Sequence, residues 1–385
     1  MEYDIVCFSH LRWDFVFQRP QHLMTRLSEH HRVYFVEEPV FDALGKYYFE
    51  AYRDEAAEVY VITPHFSVGL CEAELIKLQK ALLQSVFAFY AIKKYIVWHY
   101  SPMSYAFSLE LQPLYRVYDC MDELSNFLFA PPTLKQNEAA LLCKADIVFT
   151  GGHSLYEAKK AFHNNIYSFP SSIDKEHFGK ARELRFSCEE EPEDQRVIPG
   201  PRIGFFGVID ERLNIPLLAE LARSRPSWQY ILIGPVVKID PASLPRGTNI
   251  HYLGPKSYKA LPMYLAGWDV AMMPFALNAS TKYISPTKTP EYLAGGVPVI
   301  APSIRDVVIP YFELGLVSIA DTAEEFIRAA ENILTNGMPK DWLDKVDDFL
   351  GGMSWDRTVA DMIKLIEKGI QQKSISSTQN MASYV

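Results

Sequence analysis

One short stretch carries side chains of the right types and spacing to hold a phosphorylated ligand. Asn278 to Pro302, NASTKYISPTKTPEYLAGGVPVIAP, reads as loop, helix, tight turn and short buried strand. Ser285 stands where an N-cap belongs and Pro286 at the first helical position. Gly295-Gly296 ends the helix, and VPVIAP returns as a strand closed by Pro302. Lys288 then falls in the first turn, where the helix dipole is already positive and a cation is disfavoured. An anion on that turn removes the conflict. The N–H groups of Thr287 and Lys288, the Thr287 hydroxyl and the Lys288 ammonium could converge on a phosphate. Glu291 lies on the same face, i+3 from Lys288 and i+4 from Thr287, where a carboxylate could accept a pair of ribose hydroxyls. The competing reading is a surface Lys288–Glu291 ion pair on a core helix, and these residues alone lean slightly toward it.

A second group of polar side chains follows the first strand, Tyr3 to Phe8. His10, Arg12, Trp13, Asp14, Gln18 and Arg19 all precede a helix that opens at Pro20. In an open α/β sheet, ligands bind outside the carboxyl ends of the strands, which is where this loop sits. Alternatively, Arg19 pairs with Asp14 and Trp13 packs. His99 also ends a strand, Ile96 to Trp98. A lone histidine is more often structural than catalytic, and its position brings the two readings level. Asp119, Asp122 and Glu123 form an acidic turn that could hold a metal, but Asp122 is equally an N-cap for ELSNF. The chain has no D-x-D, which argues against a metal-clamped phosphate. No G-x-G-x-x-G follows the first strand, which argues against a dinucleotide cofactor. Gly151-Gly152-His153-Ser154 could cradle an anion; a turn plus an N-cap is the preferred reading.

These groups need a scaffold, and the hydrophobic pattern supplies one. Residues 1–170 alternate strand and helix, as in a doubly wound parallel sheet. Further strands are expected at Arg32–Val36 and Glu58–Thr63. A long helix is expected from Glu72 to Tyr95, with Leu75, Leu78, Leu82, Val86 and Phe89 on its apolar face and Lys93 and Lys94 at its end. Its aromatics and lysines leave room for peripheral membrane contact, although core packing with a charged cap is the preferred explanation. The acidic run EEEPEDQ and the breaker IPGP mark an exposed boundary. Arg202 to Phe206 restarts the alternation. The domains expected are 1–175, a linker at 176–200, a second α/β domain at 201–352, a helix at 353–372 crossing back to the first domain, and a flexible tail at 373–385.

The totals restrict the function. A chain of 385 residues, 49% of them hydrophobic, suits two domains with large cores. A net charge of −9 argues against a nucleic-acid binder. Cys7, Cys71, Cys120, Cys143 and Cys188 are scattered, and four of them lie in or beside apolar runs, so they read as buried thiols in a reducing compartment. Met1-Glu2-Tyr3-Asp4 is acidic and leads into a strand, unlike a signal peptide, and no apolar run approaches membrane-spanning length. The expected place is the cytoplasm, or the inner face of the plasma membrane as a peripheral protein.

Two similar α/β domains with a phosphate-type helix in the second resemble the GT-B glycosyltransferases, in which two Rossmann-like domains face a cleft. SPTKTPEYLAGGVPVIAP looks like the donor-binding segment of the large retaining family that includes bacterial polysaccharide and glycolipid transferases. KADIVFTGGHSLYEAKK, SFPSSIDKEHF and RIGFFGVIDERLN look like that family's stretches around the linker and the start of the donor domain. SHLRWDFVFQRPQHL resembles a subgroup from exopolysaccharide and teichuronic-acid gene clusters. Together these cover most of residues 1–350, and their order along one chain is the specific signal.

The resemblance implies transfer of a hexosyl-type sugar from a nucleotide-diphosphate sugar to a saccharide or lipid-linked acceptor, with retention. The nucleotide-sugar is a substrate, and neither a cofactor nor a metal is implied. Glu291 would hold the donor's ribose, and Lys288 with Ser285 and Thr287 the diphosphate. His99 would lie by the transferred sugar, and His10, Arg12, Asp14 and Arg19 by the acceptor. The chain departs from the pattern in places. Tyr283 stands where a second glutamate is usual, Ser285-Pro286 replaces a glycine, and Val208 and Asn214 occupy the places of an arginine and a lysine. Arg212 or Lys282 would supply the missing charge. A nucleotide-sugar 2-epimerase and a non-catalytic sugar-nucleotide-binding partner are the alternatives.

Overall fold

Strands buried on both faces read as continuous apolar runs, and the first half of the chain supplies a series of them. A computed structural model describes residues 2–185 and 191–382. Cys188 and the end of the expected tail therefore lie outside the described residues. The chain divides into two units. One holds residues 1–125, 129–169 and 355–385; the other holds 126–128 and 170–354.

In the first unit the strands are β1 (Asp4–Phe8), β2 (Val33–Val36), β3 (Tyr48–Asp54), β4 (Val59–His65), β5 (Tyr95–His99), β6 (Arg116–Cys120), β7 (Ile147–Thr150) and β8 (Ile166–Ser168). They form a sheet in the order β3-β4-β2-β1-β5-β6-β7-β8. Its pairs are parallel except β3 with β4, which run antiparallel. Alternate residues of β1 serve opposite faces. Ile5 and Cys7 join a core with Phe35, Trp98 and Phe149; Val6 and Phe8 join one with Tyr34, Val97 and Leu82. Because β2 lies on one side of β1 and β5 on the other, β1 is the point where the strand order reverses.

Several elements differ from the sequence expectation. β3 is an edge strand with mostly exposed side chains, so it offered no apolar run to detect. The helix after β4 spans Glu72–Phe89 and stops short of Lys93 and Lys94; Phe89, expected in the core, is 72% exposed. The last helix spans Trp355–Ala382, longer than the reading that gave the tail from 373. Extending a nucleated helix costs little, and polar composition does not forbid it. Its Trp355, Val359, Met362, Ile366 and Ile370 join the Ile5 face of the core, and Trp355 stacks on His22 at 4.5 Å. Cys71 and Cys143 are exposed rather than buried, while Cys7 and Cys120 are buried.

The second unit repeats the plan. Its strands are β9 (Arg202–Phe206), β10 (Gln229–Ile233), β11 (Ile250–Gly254), β12 (Val270–Met272), β13 (Val299–Ala301) and β14 (Ser318–Ile319). They form a parallel sheet in the order β11-β10-β9-β12-β13-β14, reversing at β9. The expected linker at 176–200 is partly core. The helix Lys175–Leu184 buries Phe178 and Ala181 in this unit. The acidic run that follows drew the boundary too late, since the second unit already begins at Pro170. Among the described residues, no helix is long and apolar enough to cross a membrane.

Candidate functional site

The candidate site lies at the reversal point of the second sheet. β9 ends at Phe206 and turns at Gly207, which has φ of +151°. A Cβ on neighbouring Gly234 would come within 1.8 Å of the Gly207 carbonyl oxygen, so the loops after β9 and β10 touch backbone to backbone, which only glycine permits. Tyr292 fixes the opposing helix to this strand. Its hydroxyl accepts from the Phe206 N–H at 3.0 Å and donates to the Phe206 carbonyl at 3.2 Å.

That helix spans Lys288–Ala294. It starts later than the sequence implied. Ser285 is not its N-cap; the Ser285 carbonyl instead accepts from Ser171 Oγ at 2.8 Å. Thr287 precedes the helix in the right-handed helical conformation, and Pro286 closes a turn by accepting from the Thr289 N–H at 3.3 Å. Pro286 takes the bond that a serine cap would have organised. The far end matches the expected stop. Gly296 has φ of +71°, its N–H bonds to the Leu293 carbonyl, and the Val297 N–H to that of Tyr292, a Schellman closure. Arg182 adds a cation there, donating to the Ala294 carbonyl at 2.7 Å while pairing with Asp347.

Lys288 and Glu291 project from this anchored turn. The Lys288 side chain lies over Gly207, whose added Cβ would come within 2.9 Å of Lys288 Cε, and its Nζ donates to Thr287 Oγ1 at 3.3 Å. Glu291 is only 7% exposed, so the expected alternative of a surface ion pair does not describe it. Its carboxylate takes no hydrogen bond from a described residue. Burial pushes its pKa up to about 7, and nearby Lys288 offsets only part of that rise. A buried carboxyl with open acceptor positions beside a cation is equipped to receive hydroxyl donors from a ligand whose anionic part reaches the lysine.

The other donor-side residues are placed differently. Arg212 forms a bidentate pair with Asp210, at 2.9 Å and 2.7 Å, so it brings no net charge to the loop after β9. This corrects the expectation that it supplies charge there. Lys282 is exposed, its Nζ 5.0 Å from the Tyr283 ring centre. Lys238, which the sequence did not single out, follows β10 with φ of +62° and lies over the Phe127 ring at 5.2 Å. Gly207, within RIGFFGVIDERLN, is the contact surface for Lys288, a role the sequence does not disclose.

In the first unit, the structure corrects two assignments outright. His99 is fully buried. Its Nδ1 donates to Ser104 Oγ at 2.7 Å and its Nε2 accepts from Arg116 at 2.9 Å, while burial and Arg116 hold its pKa well below the ordinary histidine range. With both ring nitrogens engaged, it is not placed to touch a sugar. Arg19 is equally buried and pairs with Asp119 and the Phe169 carbonyl, not with Asp14. Of the remaining loop residues, Arg12 donates to Glu37 at 2.8 Å, Asp14 accepts from the Tyr52 hydroxyl, and His10 is half-buried. Glu37 also receives the Trp13 N–H and the Thr63 hydroxyl, so it anchors this loop, a role the sequence did not disclose. Glu123 bridges Lys159 at 2.6 Å instead of forming an open acidic cluster, and among the described residues no group of side chains has metal-ligand geometry.

No protein-family model matches the chain. It is 26% identical over 236 residues to TuaH of Bacillus subtilis (strain 168), a proposed teichuronic acid biosynthesis glycosyltransferase. That match spans 57% of this chain and 58% of the relative, less than two thirds of its length. Sucrose-phosphate synthase from Thermosynechococcus elongatus superposes with a TM-score of 0.64 at 14% identity, covering 99% of this chain and 100% of that one. Anabaena HepE in complex with UDP superposes with a TM-score of 0.62 at 12% identity, covering 95% and 100%. At these identities the superpositions establish the fold, while the teichuronic-acid relative adds a likeness in sequence. The chain has the GT-B glycosyltransferase fold and is related in sequence to TuaH.

Proposed function

We propose that this protein is a glycosyltransferase that takes a sugar from a nucleotide-diphosphate sugar bound to its second unit. One observation carries the proposal: the buried, unbonded Glu291 carboxylate stands one helical turn from Lys288, whose side chain crosses Gly207 at the reversal point of the sheet. In this reading Glu291 accepts two ribose hydroxyls, and Lys288 and Thr287 face the diphosphate. Glycosyl–phosphate cleavage builds negative charge on the departing diphosphate. A fixed ammonium in a low-dielectric site stabilises that charge by several kcal/mol. The acceptor is a saccharide or a glycolipid, transfer retains configuration, and no protein nucleophile is assigned. Uridine nucleotides are the first donors to test, given the UDP held by HepE.

The test is a thermal-shift screen of nucleoside diphosphates and their sugars, followed by a donor-consumption assay with and without acceptor. A bound ligand raises the melting temperature by mass action. Stabilisation by a diphosphate, removed by Glu291→Ala, supports the site. Glu291→Ala protein with full affinity and activity would refute it. Donor consumption without acceptor would favour the 2-epimerase. Binding without turnover on any acceptor would favour a non-catalytic partner.

A further inference from the structure

The Lys288–Ala294 helix is seven residues long, and no described side chain caps its amino end. A helix this short depends on tertiary contacts to hold its place. Tyr292 supplies one, to β9. A second lies at the carboxyl end, where Arg182 reaches in from the helix Lys175–Leu184. Its Nε donates to the Ala294 carbonyl at 2.7 Å and its Nη2 to that of Leu293 at 3.4 Å. The same guanidinium holds Asp347, with Nη1 and Nη2 at 2.9 Å and 3.0 Å from the two carboxylate oxygens. Asp347 belongs to a third helix, Trp342–Gly351.

Each part of this clamp is itself fixed. Phe178 and Ala181 are buried on the helix that carries Arg182. A Cβ on Gly296 would stand 3.3 Å from Arg182 Cγ, so the arginine stem lies against the turn that ends the donor helix. The Arg182 hydrogen bonds hold the Asp347 carboxyl below its ordinary value, and Lys175, 3.4 Å away, supports the same charge. A guanidinium suits this place, because one rigid fork serves carbonyls and a carboxylate together, and a cation complements the helix end.

The clamp is a short path from Glu291. The Gly295 N–H donates to the Glu291 carbonyl at 3.2 Å, and Arg182 takes the carbonyl of the residue just before Gly295. A shift of that peptide moves the backbone of Glu291, and with it the buried carboxylate. We infer that Arg182 is a positioning residue for the donor: it locks the last turn of the Lys288–Ala294 helix and so holds Glu291 where the ribose is received. This rests on the donor reading above. It adds that the ribose contact is set from the far end of the helix, by an arginine that Asp347 orients.

A double-mutant cycle tests the inference. Arg182→Ala, Glu291→Ala and the double variant are titrated with UDP-glucose and with uridine, and urea denaturation shows that each is folded. Arg182→Ala is expected to weaken both ligands by the same factor, about five- to tenfold, because the ribose is common to both. In the Glu291→Ala background the same substitution changes affinity by less than about twofold, a coupling that general weakening of the fold does not produce. Hydrogen exchange adds a reading that needs no ligand and holds whichever base the donor carries. Arg182→Ala speeds exchange at the Gly295 amide by roughly tenfold or more and leaves the β9 amides unchanged. Should Arg182→Ala not fold, Arg182→Lys takes its place in the cycle, with an expected loss of about threefold. Unchanged exchange at Gly295, or losses at Arg182 and Glu291 that multiply, would overturn the inference and leave the donor reading intact. Full UDP-glucose affinity in Glu291→Ala would overturn both.

Discussion

The two sheets reverse their strand order at equivalent places, β1 in one unit and β9 in the other, yet the two reversal points carry opposite chemistry. At β9 the strand ends at Phe206 and passes straight into Gly207, the neighbouring loop has Gly234, and the Lys288 side chain takes the space where a Gly207 side chain would stand, with the buried Glu291 carboxylate one helical turn away. At β1 the strand end is Phe8, the walls of the cavity of about 330 Å³ that opens there are aliphatic and aromatic, and His99, expected by the sugar, and Arg19, expected by the acceptor, are sealed below the surface with their partners. Topology fixes where a crevice opens; side chains decide what enters it. In the second unit the buried Glu291 carboxylate takes no hydrogen bond from a described residue. In the first unit His99 is engaged by Ser104 and Arg116, and Arg19 by Asp119.

The sharpest way to break this contrast is at Glu291. Glu291→Ala is expected to weaken UDP-glucose binding on the order of 100-fold, because two hydrogen bonds to a charged acceptor are lost. Isothermal titration reads the affinity, and urea denaturation of the same variant shows whether the chain is still folded. The mirror substitution is His99→Ala. It takes the acceptor from Arg116 Nη1, while Nη2 keeps the Ser108 and Leu111 carbonyls, and opens a void, at a cost of about 2–4 kcal/mol. Urea denaturation should register that loss while UDP-glucose affinity is retained. A fall in transfer rate without a fall in stability would instead restore His99 to the chemistry.

How much of this was legible in the sequence follows the same division. The order of strands and helices was readable, because strands buried on both faces leave continuous apolar runs such as Ile203–Phe206 and Ile231–Ile233. β3 was not, because an edge strand is exposed and mixed in composition. The helix Lys175–Leu184 was hidden by the charged run after it, although Phe178 and Ala181 are spaced to bury one face. In the donor segment, the Lys288–Glu291 spacing was visible as a possibility, but burial decided it, and burial depends on Tyr292 holding the helix to β9. Arg212 is paired by Asp210, two residues before it, whereas His99 and Arg19 misled for one shared reason. A sequence shows that a polar group lies at a strand end, but not whether a partner distant in the chain, such as Asp119 for Arg19, has already claimed it. The cavity at β1 had no sequence signal, since its walls come from separate elements and are ordinary core residues.

Lys288 separates the two halves of the donor reading. Lys288→Ala is expected to weaken UDP binding roughly tenfold, as for the loss of one charge-assisted contact, with uridine binding unaffected. The salt dependence of UDP binding should flatten in the variant, because the removed term is the ionic one. If uridine and UDP weaken equally, Lys288 shapes the turn and does not face the phosphates.

The smallest effect tests the unbonded state of Glu291 directly. Its carboxyl titrates near pH 7 in the unliganded protein because burial disfavours the charged form, whereas an unfolded chain ionises it near its ordinary value of 4.5. Between those two values the folded state holds the extra proton, so the contribution of Glu291 to stability falls as pH rises from 4.5 to about 7. Ribose hydroxyls donate to the carboxylate and favour its charged form, so donor binding should release a proton in the same range. UDP-glucose affinity is then lower at pH 6 than at pH 8, by up to about tenfold for a group titrating one unit above the lower pH. UDP-glucose is preferred to UDP for this measurement, because a terminal phosphate has its own ionisation near pH 6. Calorimetry in buffers of different ionisation enthalpy counts the released proton, and Glu291→Gln should abolish both the release and the pH slope. A slope that survives in Glu291→Gln would assign the titration to another group and leave the carboxylate of Glu291 outside the donor site.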